Sequence, residues 1–121
     1  MGKKVLIVDD SAAIRQSVAY ILGQAGYEVE AAEDGVEGEK QVKASDYDIV
    51  ITDVNMPNMD GIELVRRIRG HEPTKFTPVI VLTTESQDSK MSEGKEAGAT
   101  GWIVKPFDAE KLLQVVKKLA G

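Results

Sequence analysis

Lys4-Val5-Leu6-Ile7-Val8-Asp9-Asp10-Ser11 decides the reading of this chain: an unbroken apolar run halts at two carboxylates and a hydroxyl. Three further runs share this form. Ile49-Val50-Ile51 passes through Thr52 into Asp53, Val79-Ile80-Val81-Leu82 stops at Thr83, and Ile103-Val104 stops at Lys105-Pro106. Unbroken Val, Ile and Leu runs are the pattern of strands buried on both faces, as in parallel sheets. Parallel strands of one sheet share an edge at their carboxyl ends. Asp9, Asp10, Asp53, Thr83 and Lys105 would then meet there.

The segments between these runs fit that arrangement. Ser11 suits a helix N-cap, and Ile14, Val18, Ile21 and Leu22 recur at helical spacing before Gly26. Glu28 to Ala32 alternates polar and apolar residues, as a half-exposed outer strand would. Asp34-Gly35 reads as a turn ahead of a weak helix reaching Ala44. A strand is expected at 48–52, then the loop Asn55 to Gly61, then a helix marked by Ile62, Val65 and Ile68. A polar loop with Pro73 and Pro78 precedes the strand at 79–82. A polar helix over 87–97 stops at Gly98, and a strand at 101–104 and a helix from Asp108 to Leu119 follow.

Such alternation predicts an α/β fold, a five-stranded parallel sheet between two helical layers. Right-handed crossovers leave few topologies. The order 2-1-3-4-5, one of the two common doubly wound orders and that of flavodoxin-like folds, puts the half-exposed strand at an edge. It also sets the first and third strands side by side where the winding reverses. Ligands of such folds bind outside the strand ends at that switch point.

With 121 residues, 42% of them hydrophobic and 29% charged, the chain is expected to be a single domain over residues 1–121, without an attached output domain. It has no cysteine, which excludes a disulfide framework and thiolate metal sites. A net charge of −5 disfavours a nucleic-acid footprint, which needs clustered basic surface. No apolar stretch approaches the roughly 20 residues of a bilayer span. No secretory pattern is present, and Leu6 stands where a myristoylation motif after Gly2 wants Ser or Thr. A soluble, cytoplasmic monomer is expected.

Three carboxylates in one place raise each other's pKa, and a divalent cation removes the conflict. Magnesium suits an all-oxygen donor set, whereas zinc is disfavoured with no Cys and the sole His71 in a distant loop. With a cation bridging Asp9 or Asp10 to Asp53, Lys105 supplies a second positive charge and Thr83 a hydroxyl. Asp53 is then placed to attack phosphorus as a carboxylate nucleophile. Phosphoryl transfer needs mostly positioning and charge neutralisation. An isolated Asp-Asp before a helix is usually a cap. The four strand ends together are not explained that way.

Val8-Asp9-Asp10-Ser11, Asp53 to Gly61, Thr83-Thr84 and Lys105-Pro106-Phe107 resemble the receiver domain of bacterial response regulators, above all the stand-alone chemotaxis regulators, along essentially the whole chain. The resemblance implies that Asp53 is the phosphoacceptor of a histidine kinase and that Asp9, Asp10, Asp53 and the Asn55 backbone carbonyl hold Mg²⁺. It implies that Lys105 contacts the phosphoryl group, that Lys105-Pro106 is cis, and that Thr83 moves to the phosphate. Asn55 and Glu85 would tune hydrolysis, and output would leave through the fourth helix, fifth strand and fifth helix to a protein target such as the flagellar motor switch. A phosphatase is a further candidate partner.

The chain departs from that pattern at Trp102, where the family's switch aromatic is usually Tyr or Phe, at Gly38-Glu39 in the second helix, and at Gly94 in the fourth. Met56 and Met59 read as loop packing, His71 as solvated, and Lys117-Lys118 as a helix-dipole complement. A phosphorelay intermediate or phosphate sink is an alternative function. A phosphohydrolase with an aspartate nucleophile usually wants a second acid where Asn55 stands. A dinucleotide enzyme would want glycines where Asp9-Asp10-Ser11-Ala12-Ala13 follows the first strand.

Overall fold

The computed structural model describes residues 2–120. Along the chain, β1 (Lys4–Val8), α1 (Ala12–Gln24), β2 (Glu28–Ala32), α2 (Gly35–Ala44), β3 (Ile49–Thr52), α3 (Gly61–Gly70), β4 (Val79–Thr83), α4 (Asp88–Ala97), β5 (Gly101–Val104) and α5 (Ala109–Ala120) alternate, with a 3-10 turn at Glu72–Thr74. The strands form one parallel sheet in the order β2-β1-β3-β4-β5. This is the flavodoxin-like order that the apolar runs predict. β2, the alternating strand, lies at one edge and β5 at the other.

Strand alternation divides the core into two halves. Val5, Ile7, Ile49, Ile51, Ile80, Leu82 and Ile103 point to one face, where Val18 and Leu22 of α1 and Leu112 and Val116 of α5 cover them. Leu6, Val8, Val50, Val79 and Val81 point to the other, against Val42 of α2 and Ile62, Leu64, Val65 and Ile68 of α3. Every residue of β3 and β4 is buried. Burying one such side chain fully stabilises by about 1.5–3 kcal/mol, so this sheet is a rigid platform for whatever its edge carries.

Register sets that edge. Val8 pairs with Thr52, Thr52 with Val81, and Thr83 with Val104. The residues after β1 and β3 therefore emerge side by side. The Asp53 amide continues the ladder by donating to the Val8 carbonyl at 3.0 Å.

Several boundaries differ from the sequence reading. Asp34-Gly35 is not a separate turn: Asp34 is the N-cap of α2, its carboxylate accepting the Glu37 amide at 2.9 Å, and Gly35 is already helical. Turns and N-caps favour the same short polar side chains, so the dipeptide alone does not separate them. Asp48 lies outside β3, whereas Thr83 is the last residue of β4. The fourth helix starts at Asp88, with Gln87 as its cap residue. Asp108 precedes α5 and its carboxylate accepts the Glu110 amide at 2.8 Å.

Candidate functional site

Each side chain at the sheet's carboxyl edge is fixed by the backbone that carries it. Asp9 continues β1, donating its amide to the Ala32 carbonyl at 3.1 Å. Its Oδ1 accepts the Ser11 amide at 2.9 Å, and its carbonyl accepts Nη1 of Arg15 at 2.6 Å. Only 1% of Asp9 is exposed. Asp53 is 8% exposed; its Oδ1 accepts the Val54 amide at 2.7 Å, and the Thr52 hydroxyl donates to its carbonyl at 2.9 Å. A Cβ on Gly61 would overlap that same carbonyl, so α3 can begin against Asp53 only with glycine there.

Lys105 faces both acids. Its Nζ lies 2.9 Å from Asp9 Oδ2 and 3.3 Å from Asp53 Oδ2, and its amide donates to the Thr83 carbonyl at 2.7 Å. The Lys105-Pro106 peptide bond is cis. Burial alone would weaken the ammonium, yet the Asp9 hydrogen bond and the Asp53 field outweigh it and raise the lysine pKa. Asp9 itself is pushed above the usual carboxylate range by burial, against the pull of Lys105 and the Ser11 amide. One ammonium shared by two carboxylates does not repay the desolvation of Asp9, and further positive charge would be welcome.

Asp10 completes the cluster from the exposed side. One carboxylate oxygen from each of Asp9, Asp10 and Asp53 lies within 4.8 Å of the other two. This donor set is anionic, all oxygen, and open to solvent through Asp10. It fits a hard divalent cation such as Mg²⁺ and offers nothing that zinc prefers.

Around the cluster, Thr83 is fully buried and its hydroxyl accepts the Glu85 amide at 3.2 Å. The Glu85 carbonyl in turn accepts the indole N–H of Trp102 at 3.0 Å. Asn55 and Pro106 are exposed at the rim, and Glu85 is half-buried. His71 caps the far end of α3 and takes no part. Met56 and Met59 pack against the core beside α3.

Arg15, and the close packing at Gly61 and Gly94, were not legible as part of this region. Arg15 acts through a backbone carbonyl, which leaves no sequence signal. Gly61 and Gly94 matter through close approaches that only the tertiary structure creates.

A doubly wound α/β domain with three acids at its switch point and a lysine bridging two of them has the makings of a phosphoacceptor module. The chain belongs to the response regulator receiver domain family, whose model matches residues 5–117. That family consists of phosphoacceptor signalling domains rather than true enzymes, and membership implies a cognate histidine kinase. The chain is 39% identical over 117 residues to the chemotaxis protein CheY-3 of Vibrio cholerae serotype O1, covering 96% of this chain and 90% of that protein. Its structure is similar to that of the Vibrio cholerae chemotaxis protein CheY4 crystallised at low pH, with a TM-score of 0.93, 49% identity, and coverage of 98% of this chain and 99% of that one. It is also similar to the response regulator TrrA of Thermotoga maritima in complex with Mg²⁺-BeF, with a TM-score of 0.86, 36% identity, and coverage of 97% and 98%. CheY is itself a standard instance of this strand order. Among the described residues, no helix is long and apolar enough to cross a membrane.

Proposed function

We propose that this receiver accepts a phosphoryl group on Asp53 from a histidine kinase and relays the change to a protein target in chemotaxis signalling. One observation carries the proposal: carboxylate oxygens of Asp9, Asp10 and Asp53 within 4.8 Å of one another, with Lys105 Nζ spanning Asp9 and Asp53. The Mg²⁺-BeF complex of the related TrrA supports the same use of the pocket.

The chemistry follows from the parts. A carboxylate oxygen of Asp53 attacks the phosphorus of a phosphohistidine; the new P–O bond forms as the P–N bond breaks, and the imidazole leaves, taking a proton from solvent. Asp9, Asp10, Asp53 and the Asn55 carbonyl would hold Mg²⁺, which when bound neutralises charge on the phosphoryl oxygens. Lys105 adds a positive charge beside the transferred group. Thr83, released from the Glu85 amide, offers its hydroxyl to a phosphoryl oxygen. Asn55 and Glu85 stand at the rim, where an attacking water must enter, and so tune hydrolysis. Trp102 lies on the route from Thr83 toward α4.

The active arrangement is one that the unmodified protein already samples and that the acyl phosphate favours. Its target surface is the α4, β5 and α5 face of a cytoplasmic protein acting as a monomer, with the flagellar motor switch as the target. Asp53→Asn is expected to abolish labelling by acetyl phosphate in the presence of Mg²⁺. In the wild type, chelation of the metal should slow labelling by roughly a hundredfold. Labelling of the Asp53→Asn protein at wild-type stoichiometry would refute the assignment.

A further inference from the structure

We infer that Trp102 is the anchor of α4, an indole seated in a notch that Gly94 leaves open. α4 has an unusual underside: its one fully buried residue is Gly94, and its apolar side chains Met91 and Ala97 are only partly buried. The space beneath it is filled from β5. A Cβ on Gly94 would stand 2.5 Å from Cζ3 and 3.1 Å from Cε3 of Trp102, closer than packed carbons approach.

The indole is tied at its other side as well. Its N–H donates to the Glu85 carbonyl in the loop that leads into α4, at 3.0 Å. One ring system thus holds both the entry loop and the middle of the helix. Trp102 also packs against the core cluster that Ala97 and Ala99 touch, which links α4 to the sheet.

The other ties of α4 are weaker or peripheral. Arg66 reaches Glu93 at 3.2 Å, but both side chains are exposed, and such pairs contribute little. Arg69 Nε donates to the Gly98 carbonyl at 3.1 Å, beyond the end of the helix. A cleft of about 600 Å³ lined in part by Met91, Lys95 and Trp102 runs alongside. The Gly94 seat, the Glu85 carbonyl and the core cluster hold the ring on its other sides. Glycine weakens a helix interior by itself. Here it is the notch that admits the ring.

Amide hydrogen exchange on the intact chain tests this without any phosphodonor. Trp102→Ala should speed exchange across residues 88–97 by roughly tenfold or more while β1 and β3 keep their protection. Trp102→Phe, which keeps an aromatic ring but loses the donor, should act in the same direction less strongly. Gly94→Ala should speed α4 exchange when Trp102 is present and slow it in the Trp102→Ala chain, because alanine is the better helix former once the ring is gone. If Trp102→Ala does not fold, Trp102→Phe serves as the background, where Gly94→Ala should speed α4 exchange less than it does beside the full indole. Unchanged α4 exchange in both tryptophan variants, or Gly94→Ala slowing exchange equally in every background, would overturn the inference.

Discussion

α3 and α4 have the same length, ten residues, and lie on the same face of the sheet, yet they are held in opposite ways. α3 buries Ile62, Leu64, Val65 and Ile68, and its N-cap Asp60 accepts the Glu63 amide at 2.8 Å. α4 has no side-chain cap bond at Gln87 and buries only Gly94. The first begins packed against the Asp53 carbonyl and keeps the acidic pocket in shape. The second sits one loop beyond Thr83 and rests on a ring contributed by its neighbour. Stability in this fold is therefore unevenly shared, and the segment with few buried contacts is the one free to respond.

The contrast is sharpest for side-chain truncation. Leu64→Ala in α3 should cost about 2–5 kcal/mol in urea unfolding, whereas Met91→Ala in half-buried α4 should cost under about 1 kcal/mol. Equal losses would erase the distinction. Capping offers a smaller effect of opposite signs: Asp60→Ala should cost about 1 kcal/mol, and Gln87→Asp should stabilise α4 by a similar or lesser amount, both read from thermal unfolding. Should Gln87→Asp have no effect, the open N-terminus of α4 would not be a weakness.

The smallest effect concerns charge. The Arg66 hydrogen bond, helped by Lys90, holds Glu93 below the ordinary 4.5 of a glutamate. A depressed carboxylate contributes stability above its unfolded pKa and loses it as pH falls through the folded value. Acidification through and below pH 4.5 should therefore shift Trp102 emission in the wild type more than in Glu93→Gln. High salt should reduce the difference, since exposed charges are screened. An identical titration in both proteins would show that this pair does not position α4.

Much of the molecule was legible because its central strands are buried on both faces and write themselves as unbroken Val, Ile and Leu runs. Their last residues then named Asp9, Asp53 and Lys105 as neighbours, since parallel strands share one carboxyl edge. The start of α2 was less legible, because Asp34-Gly35 satisfies a turn and an N-cap equally well. Gly94 was the hardest. On sequence it reads as a weak point in a polar helix, and its role depends on a tryptophan from the next strand filling the space it leaves.

The most direct test compares the two helices within one sample, following amide exchange before and after beryllofluoride and Mg²⁺ are added. Exchange should change across residues 84–97, in the β4-α4 loop and α4, and stay constant across residues 61–70, with Asp53→Asn abolishing the response. A change confined to α3, equal changes in both helices, or a response that persists in Asp53→Asn would contradict the account.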